Sequence, residues 1–164
     1  MMHMPRNAED YPREECGVFA VYGREDAARV AFFGLFALQH RGQESAGIAV
    51  ADGCRIAERR GMGLVSEVFH EEHFAKLTGN AAIGHVRYST TGSSVITNAQ
   101  PFLVHHAGED YALGHNGNLV NAFRLRSRLE AQGSIFQSTM DSEVIIHLMA
   151  PYLRDGLEKA LEQA

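Results

Sequence analysis

Glu15-Cys16-Gly17-Val18-Phe19-Ala20-Val21-Tyr22 marks a change of character in the chain. Before it, Met1 to Glu15 is polar, with two prolines in all and five charged side chains in its last seven residues. From Gly17 the chain turns apolar, with the valine and aromatic content of a buried strand. Cys16 therefore stands at the first position of the folded part. Its plain reading is a small buried hydrophobe at a strand start. A second reading makes it the first residue of a processed chain, carrying a thiol and a free α-amine together. Such an amine titrates near about 8 and takes the thiol's proton without a histidine.

Working outward, Ala27 to Leu38 is a mostly apolar helix that must pack between layers, with Asp26 as its cap. Gln39 to Ser45 is a polar loop. Ala46–Ala51 and Cys54–Arg60 read as strands joined by a two-residue turn at Asp52-Gly53. His70 to Leu77 reads as a short helix and Ala81–Val86 as a strand, followed by a loop from Arg87 to Gln100. Phe102–His105 and Tyr111–His115 read as strands. Helices follow at Asn121 to Gln132, Ser142 to Ala150 and Leu157 to Leu161, with Pro151 ending or kinking the second. Strands come early and helices late, an α+β pattern without regular βαβ alternation.

Composition narrows the partners. The 164 residues suffice for one domain. The net charge of −5, with no basic run, argues against nucleic acid and anionic membrane surfaces. No apolar run nears the roughly 18 residues of a membrane span, and the first residues lack a secretory h-region. Two cysteines, Cys16 and Cys54, make no disulfide framework, which fits a reducing cytoplasm. The nine histidines, including His70-Glu71-Glu72-His73 and His105-His106, show no metal-ligand spacing, and no metal site is expected.

Three polar clusters sit at strand ends or loops. In Gly84-His85-Val86-Arg87-Tyr88-Ser89-Thr90, Arg87 follows an apolar strand, so its guanidinium is expected to leave the core there. It would make a structural salt bridge or bind a planar carboxylate. In His115-Asn116-Gly117-Asn118-Leu119, Asn-Gly is a common tight turn. Alternatively, the Asn116 amide and Gly117 N–H converge as an oxyanion hole. In Thr139-Met140-Asp141-Ser142-Glu143, Asp141 is a helix N-cap or an anion for a substrate ammonium. A thiol, an oxyanion hole, a cation for a carboxylate and an anion for an ammonium together fit free glutamine.

The order of Cys16-Gly17-Val18, Leu38 to Gly47, Gly84 to Thr90, Ala99-Gln100-Pro101-Phe102, His115 to Leu119 and Asp141-Ser142-Glu143 resembles the class II glutamine amidotransferases, a family of N-terminal-nucleophile hydrolases. The likeness runs from Cys16 to about Leu148. Sugar-phosphate members of that family typically carry tyrosine after the first glycine motif and tryptophan after the later arginine. Here Gln43 follows Gly42 and Tyr88 follows Arg87, as in the branch that uses phosphoribosyl pyrophosphate.

The resemblance implies a four-layer αββα sandwich that this chain supplies only in part, C-terminally incomplete. It implies a leader at 1–15 removed to expose the Cys16 amine, and a glutaminase domain at 16–164. Cys16 would attack the carboxamide, Asn116 and Gly117 would hold the oxyanion, and Arg41 and Gly42 would shape the loop over the substrate. Arg87 and Thr90 would bind the glutamine α-carboxylate side and Asp141 the ammonium. Ammonia would pass to an absent phosphoribosyltransferase domain, there forming 5-phosphoribosylamine from phosphoribosyl pyrophosphate in purine synthesis. This chain would hold no cofactor. Mg2+ and, in some members, a 4Fe-4S cluster would belong to the absent domain, and the full-length protein would be a homo-oligomer. Two alternatives stand beside this: a non-catalytic glutamine-binding module, and the glutaminase domain of a sugar-phosphate amidotransferase.

Overall fold

The computed structural model describes residues 16–88 and 94–164. Its larger sheet has four strands in the order β1-β4-β2-β3, every neighbouring pair antiparallel. These are β1 (Gly17–Tyr22), β2 (Ser45–Ala51), β3 (Ile56–Met62) and β4 (Ala81–Arg87). A second sheet pairs β5 (Phe102–His106) with β6 (Glu109–Leu113).

Helix α1 (Ala27–Ala37) lies on one face of the large sheet. Ala27, Ala28, Ala31 and Leu35 pack against Ile48, Val50, Ala82 and Val86, with Phe19 and Val21 alongside. Alternation along β1 explains the choice of face, since residues two apart share one side of a strand. Each fully buried Leu or Ile here contributes about 1.5–3 kcal/mol. Small residues set how closely helix and sheet approach. A Cβ on Gly34 would fall 2.4 Å from the Phe19 ring, and one on Gly84 would fall 2.8 Å from Leu35.

The opposite face of the large sheet looks toward β5 and β6 across an apolar cavity of about 610 Å³, lined among others by Ala49, Ile83, Val104 and Leu113. Helices α5 (Ser142–Met149) and α6 (Leu157–Gln163) pack against that pair, where Met149, Leu153 and Ala160 cluster with Tyr111 of β6, and Ile146 and Leu157 line the same cavity. The layer order is thus helix, sheet, sheet, helix, as the family resemblance implies. Three further helices belong to the described fold: α2 (Val65–Val68), α3 (Glu71–Phe74) and α4 (Ala122–Ala131).

Several local expectations are corrected. The β2–β3 connection is a four-residue loop, with Ala51 facing Ile56 in register. Asp52 stretches the turn because its carboxylate accepts the backbone N–H groups of Cys54 and Arg55 at 2.8 Å each. Asp26 does not cap α1, since Arg24 holds its carboxylate through two hydrogen bonds. The helix before Pro151 does end there, at Met149, and the chain goes on as a 3-10 turn over Ala150–Asp155.

Candidate active site

Strand register brings the distant motifs together. Gly17 faces Val86 in the β1–β4 pair, so Cys16 lies level with the end of β4. The Cys16 thiol sits 3.5 Å from both the backbone N and O of Tyr88 and is half-buried. On the other side of β4, Ser45 faces Arg87, and the N–H of Glu44 donates to the Arg87 carbonyl at 3.1 Å. The Gln39–Arg41 3-10 turn then sends Arg41 back to the Cys16 backbone, where its Nε donates to the Cys16 carbonyl at 3.2 Å. Gly42 is required at this crossing: a Cβ there would sit 2.6 Å from the Arg87 carbonyl carbon. Cys16, Arg41, Gly42 and Arg87 therefore form one group.

Arg87 corrects an expectation. Its guanidinium does not emerge at the strand end but is 1% exposed and ion-paired through Nη1 with Glu44. The 42–45 segment folds over the strand end and supplies that carboxylate. The ion pair with Glu44 fixes the orientation of the guanidinium fork.

The second group is built around the loop from His115 to Leu119. Asn116 and Gly117 are exposed. Asp141, at the start of α5, makes no side-chain cap on its own helix. Its Oδ2 instead accepts the Leu119 N–H at 2.7 Å, tying the end of the Asn-Gly loop to α5. Glu143 holds the preceding loop, accepting the N–H groups of Gln137 and Ser138 at 2.8 Å each. Asn98, fully buried, exchanges two hydrogen bonds with Thr139.

His85 joins the two groups. It faces Val18 in register on β4, and its Nε2 lies 3.2 Å from the His115 carbonyl oxygen. Burial pushes its pKa down to about 4, helped by the nearby Arg87 charge and opposed by the hydrogen bond to His115. It is thus a neutral imidazole at pH 7, and the Nε2–H tautomer serves a carbonyl acceptor.

Seven of the eight residues singled out from the sequence fall into these two linked groups. Thr90 lies outside the described residues. Sequence reasoning missed Glu44, His85, Gln100 and Ser142 as parts of the site. All four lie inside the motifs quoted for the resemblance, but buried polar side chains carry no role until their partners are known. Cys54 is exposed at the β2–β3 turn. Among the described residues, no three His, Cys, Asp or Glu side chains group so as to hold a metal ion, and no helix is long and apolar enough to cross a membrane.

The arrangement is a thiol at a strand start, level with an arginine and linked through His85 to an anchored Asn-Gly loop. Residues 85–163 match the family described as glutamine amidotransferase domain. The chain's relatives are amidophosphoribosyltransferases. The Bacillus subtilis amidophosphoribosyltransferase is 50% identical over 137 residues, 83% of this chain and 29% of that protein. The Synechococcus elongatus amidophosphoribosyltransferase is 53% identical over 148 residues, 90% of this chain and 30% of that protein. Among solved structures, the glutamine phosphoribosylpyrophosphate amidotransferase from B. subtilis complexed with ADP and GMP matches with a TM-score of 0.80 at 44% identity, covering 88% of this chain and 31% of that one. The chain thus spans about 30% of the length of these relatives. They favour the phosphoribosyl branch over the sugar-phosphate one.

Proposed function

We propose that this chain is the glutamine-hydrolysing part of an amidophosphoribosyltransferase. The observation that carries this reading is the meeting of Cys16, Arg41 and Arg87 at the β1–β4 strand ends, joined through His85 to the His115 carbonyl of the loop that Asp141 anchors.

In this reading the mature chain begins at Cys16, and residues 1–15 are a leader whose removal frees the α-amine. That amine takes the thiol proton as Sγ attacks the glutamine carboxamide carbon. The Asn116 side-chain amide and the Gly117 N–H stabilise the resulting oxyanion. The C–N bond then breaks, the amine returns its proton to the leaving nitrogen, and ammonia departs from a thioester. Water attacks that thioester, releasing glutamate and restoring the thiol. Arg87, its fork steadied by Glu44, takes the α-carboxylate with Thr90 nearby, and Asp141 takes the α-ammonium. Arg41 and Gly42 shape the loop over the bound substrate. In a longer protein the ammonia displaces pyrophosphate from phosphoribosyl pyrophosphate.

The test is labelling with a diazo-ketone analogue of glutamine, mapped by mass spectrometry, alongside ammonia release. The expected result is a single adduct on an N-terminal Cys16 and no ammonia from the Cys16→Ala variant. Ammonia release that survives Cys16→Ala overturns the reading. Binding of glutamine with no turnover in wild type, unchanged in Cys16→Ala, assigns a binding module instead.

A further inference from the structure

We propose that His85, Gln100 and Ser142 are positioning residues for glutamine hydrolysis, acting through His115 to orient the Asn116-Gly117 loop. The proposal rests on the reading of that loop as the oxyanion site.

His115 is held at three points. Its backbone N–H donates to Gln100 Oε1 at 2.7 Å. Its carbonyl oxygen lies 3.2 Å from His85 Nε2. Its ring Nδ1 lies 3.1 Å from Ser142 Oγ. The three clamping side chains are buried, none more than 1% exposed. They come from separate places: the middle of β4, the segment before β5 and the first turn of α5. Ser142 joins two of them, since Gln100 Nε2 donates to its Oγ at 3.4 Å.

The consequence follows from peptide geometry. The carbonyl of His115 and the N–H of Asn116 belong to one planar unit. Fixing that carbonyl on His85 fixes the plane from which Asn116 departs. The His115 ring also sits under the residue two positions on, because a Cβ on Gly117 would fall 2.7 Å from His115 Nε2. The ring, held by Ser142, thus forms the floor beneath Gly117. The two donors of the loop are exposed, so their aim depends on this buried support. An oxyanion donor displaced by an ångström loses much of its effect on rate.

Nδ1 of His85 is buried with no hydrogen-bond partner among the described residues. A core histidine kept only for packing is readily replaced by an apolar side chain. One kept for its Nε2 donor is replaced only by another donor.

The experiment compares His85→Leu, His85→Gln and Ser142→Ala with wild type in the full chain. Expected for His85→Leu and Ser142→Ala is a fall in kcat for glutamine hydrolysis of about tenfold to a hundredfold, with KM within about threefold. His85→Gln, which keeps an N–H donor, recovers most of the loss. In parallel, the 15N order parameters of the Asn116 and Gly117 amides fall in His85→Leu and Ser142→Ala and return in His85→Gln, a readout that needs no turnover. Unchanged order parameters, a rise in KM alone, or equal losses in His85→Leu and His85→Gln overturn the proposal. Should His85→Leu fail to fold, Ser142→Ala decides by the same two readouts. Asn116→Ala keeps the two ideas apart: if it retains wild-type kcat, the oxyanion reading fails, whereas a loss there without one in Ser142→Ala sinks only the clamp.

Discussion

Arg41 reaches back to donate from Nε to the carbonyl oxygen of Cys16 at 3.2 Å, so the loop after α1 is tied to the backbone of Cys16. The bond is charge-assisted and half-buried. Removing it in Arg41→Ala lowers the rate of ammonia release by about tenfold or more, the effect of one hydrogen bond to a charged group. Arg41→Lys does not restore the rate, because a lysine has no Nε fork to reproduce the geometry. Equal rates for Arg41→Ala and wild type would remove Arg41 from the site.

Glu44 and Arg87 form a largely buried ion pair. Glu44→Ala takes away the carboxylate that compensates a guanidinium 1% exposed, and is expected to destabilise the fold by about 3 kcal/mol. Urea unfolding followed by circular dichroism measures this, and a loss below about 1 kcal/mol contradicts it.

Two glycines near the site separate by the space around them. A Cβ on Gly47 would lie 2.2 Å from the Gln100 carbonyl oxygen, a backbone atom that cannot swing away. Gly47→Ala should cost about 3 kcal/mol or prevent folding. A Cβ on Gly114 would meet only Val18, at 4.0 Å. Gly114→Ala should therefore leave the melting temperature within a few degrees of wild type. A reversed order in the two melting curves would mean that the Gly47 crossing is looser than described.

Burial holds the His85 pKa at about 4 in the folded chain, below the ordinary value of 6.5. Between those two values the unfolded chain binds more protons than the folded one. Stability from a neutral His85 is therefore complete above pH 6.5 and declines as pH falls toward 4. From pH 7 to 4.5 the loss is about 2–3 kcal/mol. Urea denaturation at both pH values should show that loss in wild type and less of it in His85→Gln. An equal loss in both assigns the acid sensitivity to other groups.

Much of the architecture is legible in the sequence. The apolar run after Cys16 marked β1, because a buried strand needs a continuous stretch of such side chains. The helix at 27–37 was legible from its apolar faces, and the late helices from their spacing. The two-residue turn at Asp52-Gly53 was misread because the Asp52 carboxylate competes for backbone N–H groups. Asp26 and Asp141 were both plausible caps, yet both carboxylates found partners elsewhere. A cap is only one of several N–H or N–H⁺ donors within reach of an aspartate, and sequence spacing does not rank them.

The sequence by itself determined which residue types the site would use: a thiol, an arginine, an Asn-Gly turn and an aspartate at the start of a late helix. These are chemical identities, and they are read directly. Only the tertiary structure decided which of them meet. The β1–β4 register sets Cys16 beside Tyr88, 72 positions away. Folding of the 42–45 segment over β4 turns Arg87 inward onto Glu44. The His85–His115 contact joins the thiol side to the Asn-Gly side. Each depends on antiparallel pairing and burial between segments far apart in the chain, and local sequence carries no record of which distant atoms will satisfy a buried polar group.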